Sequence, residues 1–156
     1  MTVMDRTALL DHYRSALADL DEAVAGITEA DLDRPQASGG WTARQVIHHL
    51  ADSEAMAYIR LRRLIAEDSP LIRAYDEPEW ARRLHYDRPI EASLAVVAAV
   101  RASSLQLLES LTPSEWERTG THSESGAYSA DRWLLIYAEH THGHANQIRK
   151  ARRGEA

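Results

Sequence analysis

Eight histidines and no cysteine stand in a chain of 156 residues. Disulfides, thiolate metal sites, Fe–S clusters and cysteine nucleophiles are therefore excluded, and a transition-metal site has to be built from imidazole and carboxylate. His140 and His144 fall in the series Trp133, Tyr137, His140, His144, Ile148. On a helix these positions share the core-facing stripe, so the two imidazoles project from one face a turn apart and can bite one ion. Two core histidines bonded to carbonyls or hydroxyls would give the same spacing. His142 lies about 200° round the helix from His140 and is expected to face away.

A second helix offers His48 and His49. With Val46 at the origin, the apolar stripe centres near ~40°, His49 falls near ~300° and His48 near ~200°. His49 thus borders the stripe, on the flank of Ser53 and Arg60, and is the one of the pair expected to reach the interior; His48 is expected on the solvent side. His49, His140 and His144 together would form a facial triad with at least one open coordination position, the feature that separates a catalytic from a closed structural site. Three neutral nitrogens suit Zn²⁺ first and Ni²⁺ second, whereas Fe²⁺ sites usually add a carboxylate. His12, His85 and His122 read as surface residues.

The elements that must position these groups are helical. Leu9, Leu10, Tyr13, Leu17, Leu20, Val24 and Ile27 step by threes and fours and predict a helix from about Asp5 to Gly26. Thr28–Gly40 breaks the period with Pro35 and Gly39-Gly40. Thr42-Ala43-Arg44-Gln45 reads as a capping box opening a helix to about Asp68. The stretch from Ser69 to Pro89 is irregular, with a short helix expected near Glu79–Leu84, and is long enough to strap over a site. A third helix spans about Glu91–Leu111, followed by a Thr112-Pro113 start signal and a polar loop or small hairpin at Gly120–Ser129. Ser129 caps a last helix that runs to about Arg152. Four long amphipathic helices predict an all-α, antiparallel four-helix bundle in a single domain over residues 1–156, with a long connector between the second and third long helices.

Composition narrows the function classes. Hydrophobic residues make up 44% and charged residues 27%, the mix of an ordinary globule. Eighteen Lys+Arg against 24 Asp+Glu leave a net charge of −6, which ranks nucleic-acid binding low. The basic cluster Arg149, Lys150, Arg152 and Arg153 suits a helix C-terminus. No membrane span and no signal peptide are expected, and the cytoplasm follows as the expected location.

The run Trp41-Thr42-Ala43-Arg44-Gln45-Val46-Ile47-His48-His49-Leu50-Ala51-Asp52-Ser53, with Ala57-Tyr58-Ile59-Arg60, resembles the first signature of the YfiT-like branch of the DinB superfamily. Ala66-Glu67-Asp68-Ser69-Pro70, Tyr75-Asp76-Glu77 with Trp80-Ala81, and Tyr137-Ala138-Glu139-His140-Thr141-His142-Gly143-His144 are similar to later parts of that branch. The resemblance implies a four-helix bundle, often a homodimer, holding a divalent metal on His49, His140 and His144. It also implies an enzyme, either a metal-dependent hydrolase or a thiol S-transferase that joins a small thiol to an electrophile. One departure is Gly143, where many relatives carry His or Arg.

With no cysteine in the chain, a thiol nucleophile has to come from a small-molecule co-substrate at the open position, where a cation makes it a thiolate. Thiol transfer to an electrophile, which the resemblance implies, is the first expectation. Hydrolysis by metal-activated water is the alternative, ranked second because no general base can be assigned. A non-catalytic, metal-stabilised helical module is the third. Tyr58, Arg60, Tyr75, Trp80 and Arg149 are candidates to line the pocket, and Asp52 and Glu139 candidates to orient a ligand imidazole.

Overall fold

The computed structural model describes residues 3–155, with side chains from residue 6 onward. Its elements in chain order are α1 (Val3–Val24), α2 (Glu29–Leu32), α3 (Ala43–Ala66), β1 (Leu71–Ile72), α4 (Glu77–Arg83), α5 (Glu91–Ser110), α6 (Pro113–Trp116), β2 (Thr119–His122), β3 (Gly126–Ser129) and α7 (Ala130–Arg152). The start signals act as their chemistry predicts. Thr42 Oγ1 accepts from the Gln45 amide while Gln45 Oε1 accepts from the Thr42 N–H, and Ser129 Oγ accepts from the Arg132 N–H at the head of α7.

The four long helices pack together, α1 along α7 and α3 against both α5 and α7. The expected four-helix bundle is incomplete as a description, because three short helices and a three-stranded sheet accompany the long ones. The sheet order is β1-β2-β3, β1 parallel and β3 antiparallel to β2, with Leu71 opposite Thr121 and Gly120 opposite Tyr128. Gly120 is required there: a Cβ would stand 2.5 Å from the Pro70 carbonyl oxygen. The sheet ties the long connector to the hairpin before α7, and so brings two irregular segments to one side of the bundle.

The helix α5 bears on the expectation about membrane spans. Over Glu91–Ser110 it is long and apolar enough, by length and composition, to cross a bilayer, with a mean hydropathy of 1.3. Its alanines and valines are interrupted by Ser93, Arg101, Ser103, Ser104 and Gln106, which hides the run from a reading by unbroken apolar stretches. Arg101 is buried here against other helices of the bundle.

Two apolar clusters form the core. One gathers Trp133, Tyr13, Leu61, Leu64 and Leu108; the other gathers Ile47, Leu50, Leu20, Val97 and Ile148. Along α3 and α7 the change of cluster falls between Ala51 and Ala57 and between Ala138 and Ala145. Those gaps hold Glu54, His140, Thr141 and His144. A polar layer therefore lies between the clusters, and buried polar groups demand partners.

Candidate metal centre

His49 comes from α3 and His140 and His144 from α7, and the structure brings all three together. One ring nitrogen from each lies within 4.8 Å of the others, with His49 buried and the other two half-buried. Ring centroids are 4.9 Å apart for His49–His144, 4.6 Å for His140–His144 and 6.3 Å for His49–His140. Trp41 covers His49, ring to ring, at 4.8 Å.

The hydrogen bonds sort the nitrogens. His140 Nδ1 lies 3.1 Å from Glu54 Oε1, and His144 Nδ1 lies 2.9 Å from Gln147 Oε1. Both contacts suit an Nδ1–H donor, which leaves each Nε2 as the acceptor nitrogen, that of His140 3.3 Å from Ser53 Oγ. His49 Nδ1 is buried with no hydrogen-bond partner, a cost for a polar atom that nothing in the protein offsets. Burial, with the neighbouring His144 and His140 adding to it, pushes the His49 imidazole down to about 3. Burial and His140 push His144 down to about 4. Both rings are neutral at neutral pH, the form that binds metal.

These depressions carry a stability prediction for the metal-free protein. Unfolded, each ring takes a proton near its ordinary value of 6.5; folded, it resists until about 3 or 4. The unfolded state then binds more protons as pH falls below that value, so stability drops with acidification, with a limiting slope of about 1.4 kcal/mol per pH unit per ring. Urea midpoints measured in EDTA should fall from pH 7.5 to 5.5, and less steeply in His49→Gln.

The carboxylate behind His140 is Glu54, which sequence reasoning missed. Glu54 and Arg101 are each 1% exposed and paired at 2.9 Å. Glu54 Oε1 also accepts from Thr141 Oγ1 at 2.8 Å. Arg101 reaches across the bundle, donating to Thr141 Oγ1 at 2.9 Å and to the Tyr13 carbonyl at 2.8 Å. Burial alone would raise the Glu54 carboxyl, but the bond from His140 and the Arg101 charge outweigh it and hold it below the carboxylate range. The expected orienting carboxylates are elsewhere: Asp52 accepts from the Tyr86 hydroxyl at 2.7 Å, and Glu139 pairs with His12 near the surface.

His48 also departs from expectation. It is 0% exposed, its Nδ1 2.8 Å from Ser93 Oγ and its Nε2 3.0 Å from the Arg88 carbonyl. A single apolar stripe misjudges it because α3 is covered on two sides, by α7 and by α5 with the connector. His48→Ala should therefore keep full metal content yet lower the melting temperature, as expected from losing a buried, doubly bonded ring. His142 does face away from the cluster, toward α1, where its Nδ1 meets Asp19 at 2.6 Å and its ring stacks on His12 at 4.1 Å.

A cleft of about 240 Å³ opens beside His140, lined by Ser53, Arg60, Tyr75, Glu77, His122 and Tyr137, among others. Two of the five expected pocket residues, Arg60 and Tyr75, are in its wall. Trp80 supports the wall from behind, its ring 4.4 Å from Tyr75. Tyr58 is not in the wall, its ring lying under the Arg62 guanidinium at 3.2 Å. Arg149 is turned to α1, where it pairs with Asp19 at 2.6 Å and Glu22 at 3.4 Å. Its longer reach to α1 carboxylates, invisible to helical periodicity, takes it from the site. His122, expected at the surface, lines the cleft because the β2–β3 hairpin folds over it. Glu77, at the head of α4 and 51% exposed, sits with Oε2 4.0 Å from His49 Nε2.

Gly143 stands on the exposed side of α7, and a Cβ there meets nothing within 4 Å. No substrate or partner contact is needed to explain it. Gly143→Ala should stabilise the fold by about 0.5–1 kcal/mol in urea denaturation, the helix-propensity difference.

A mainly helical fold that gathers three imidazoles, one of them in the wall of a cleft, defines a class of candidate metal-centre proteins. The chain matches the DinB superfamily model over residues 12–148 and belongs to that superfamily. It is 46% identical over 129 residues, 83% of this chain and 75% of the relative, to a protein of Oceanobacillus iheyensis named "Putative metal-dependent hydrolase". A Bacillus mycoides protein of the same name is 34% identical over 134 residues, covering 86% and 78%. Among solved structures it is similar to YfiT from Bacillus subtilis, described as a probable metal-dependent hydrolase with an unusual four-helix bundle topology. That match has a TM-score of 0.89 and 31% identity and covers 98% of this chain and 89% of that one.

Proposed function

We propose that this protein is a metal-dependent hydrolase whose divalent cation is held by His49, His140 and His144, with Zn²⁺ the ion that three neutral nitrogens suit best. The observation that carries the reading is the orphaned, buried His49 Nδ1 in a cluster of three imidazoles. A bound cation would supply Lewis-acid polarisation and lower the pKa of a nucleophile beside it.

The remaining work falls to side chains of the cleft. Glu77 stands at the mouth close to His49, and supplies the base that the sequence could not assign. Its carboxylate takes a proton from the attacking water and, as the carboxylic acid, returns it to the leaving amine or alcohol as the ester or amide bond breaks. Burial pushes the Tyr75 hydroxyl up to about 12 and raises that of Tyr137, so both stay neutral donors at working pH. Glu54, tied down by Arg101 and Thr141, keeps the His140 ring in one tautomer and orientation.

Thiol transfer is the second reading. It is supported by a cleft whose lining extends from His140 to His122 and Glu124, giving a co-substrate room. Glu77 would then take the thiol proton, and the sulfur would bond to the electrophilic carbon as a leaving group departs. The two are separated by a screen of ester and amide substrates, and of the electrophile monochlorobimane, with and without a small thiol. Hydrolysis predicts ester or amide turnover without thiol, lost on chelation and in Glu77→Gln. Turnover only when thiol and metal are both present would replace it with transfer.

A further inference from the structure

Arg60 lines the cleft beside His140 and, unlike many arginines of this chain, faces no carboxylate among the described residues. Arg6, Arg14, Arg44, Arg63, Arg101 and Arg149, for example, each face a carboxylate. Arg60, half-buried in the cleft wall, makes no ion pair among the described residues. Its Nη1 donates to the Tyr137 hydroxyl at 3.1 Å and its Nη2 to the Arg73 carbonyl at 2.9 Å, both neutral acceptors. A guanidinium carries five N–H groups in a planar fork. The Arg60 Nε is buried with no partner. Nη1 and Nη2 make no further hydrogen bond among the described residues, so the fork is anchored at two points.

The Tyr75 hydroxyl lies in the same wall. It too is buried without a well-formed hydrogen bond, Ser53 being its polar neighbour, and the Arg60 guanidinium lies 5.8 Å from its ring. Tyr75 is held by Trp80 behind it, and Arg60 by Tyr137 and the Arg73 backbone. These donors are therefore positioned before any ligand arrives, beside His140. A cation and a hydroxyl left short of acceptors fit a planar anion with two oxygens.

We propose that the Arg60–Tyr75 wall is a carboxylate subsite, so that the reactant brought to the three histidines is a small molecule bearing a carboxylate remote from its reacting centre. This deepens the hydrolase reading and rests on it for the identity of the reacting centre. The carboxylate takes the free edge of the guanidinium and the Tyr75 hydroxyl, and the rest of the molecule lies along the cleft toward His140. Glu77 and Glu124 at the mouth of the same cleft oppose a multiply charged anion. The subsite therefore selects a single carboxylate over a phosphate.

The test is binding, read by NMR on the full chain in zinc-loaded and metal-free form, following the Arg60 Nε–H signal. N-acetylglycine is compared with N-acetylglycinamide, and mercaptoacetate with 2-mercaptoethanol. The acid of at least one pair should bind at least about tenfold more tightly than its neutral partner in the metal-free protein, with inorganic phosphate failing to compete. The pair that shows the preference identifies whether the acyl substrate or a thiol carries the carboxylate. Arg60→Gln should lose the preference, Arg60→Lys should keep part of it, and Tyr75→Phe should weaken it in a protein whose melting temperature is otherwise near wild type. Arg62→Gln, outside the cleft, should keep it whole. Equal binding of acid and neutral partner, preference retained in Arg60→Gln, or acid binding that vanishes when zinc is removed would each overturn the subsite. The metal reading is judged separately, by zinc content, and stands or falls without it.

Discussion

His144→Ala is expected to abolish turnover and lower divalent-metal affinity by at least about 100-fold, while helical circular dichroism stays at the wild-type level. The ring comes from α7, is half-buried, and spends its Nδ1 on a neighbour of its own helix, Gln147. Among the described residues it makes no hydrogen bond to another element, and its contact outside α7 is the ring of His49. A hydrolase or a transferase loses its reaction with this ring and keeps its fold. A metal-stabilised scaffold without catalysis behaves otherwise: its melting temperature falls with the metal, and no activity exists to be lost. Metal titration, circular dichroism and the substrate screen on the same variant separate these outcomes.

The second large effect is expected at the Glu54–Arg101 pair. Breaking a buried ion pair by removing one partner leaves the other charged and unpaired, at a cost of about 3–5 kcal/mol. Arg101→Leu should show this in denaturant unfolding, since it strands Glu54 and also releases the Tyr13 carbonyl and Thr141. Glu54→Gln removes the charge that accepts from His140 and should in addition weaken metal binding by about 10–100-fold, the range for a lost outer-shell partner. Replacing both residues by apolar ones of similar volume should recover much of the stability lost in either single variant and none of the metal affinity. A double variant that recovers metal affinity too would mean that Glu54 supports the fold and not the His140 ring.

How much of this was legible in the sequence depends on how far the relevant physics is local. The capping boxes and the serine cap at α7 are signals within four residues, and they placed the helix starts. His140 and His144 were legible because one helix carries both. His49 was separable from His48 by angle on the helix, but the fate of His48 was not, because its burial is made by α5 and the connector. Glu54 reads as a solvated helix charge until Arg101, 47 residues away, is set against it. Glu77 and His122 lie on irregular segments whose position is fixed by a small sheet. The paired segments are two to four residues long, too short for alternation to show. The same limit explains the corrected readings of Tyr58 and Arg149: periodicity gives the face of a helix but not which neighbour a long side chain reaches for.

Equilibrium dialysis against Zn²⁺, with metal content measured by mass spectrometry, tests the central claim most directly when run on wild type, His49→Ala and His48→Ala in parallel. The account predicts about one ion per chain in wild type and in His48→Ala, and none above background in His49→Ala. Equal zinc in all three proteins, or none in wild type, would contradict it.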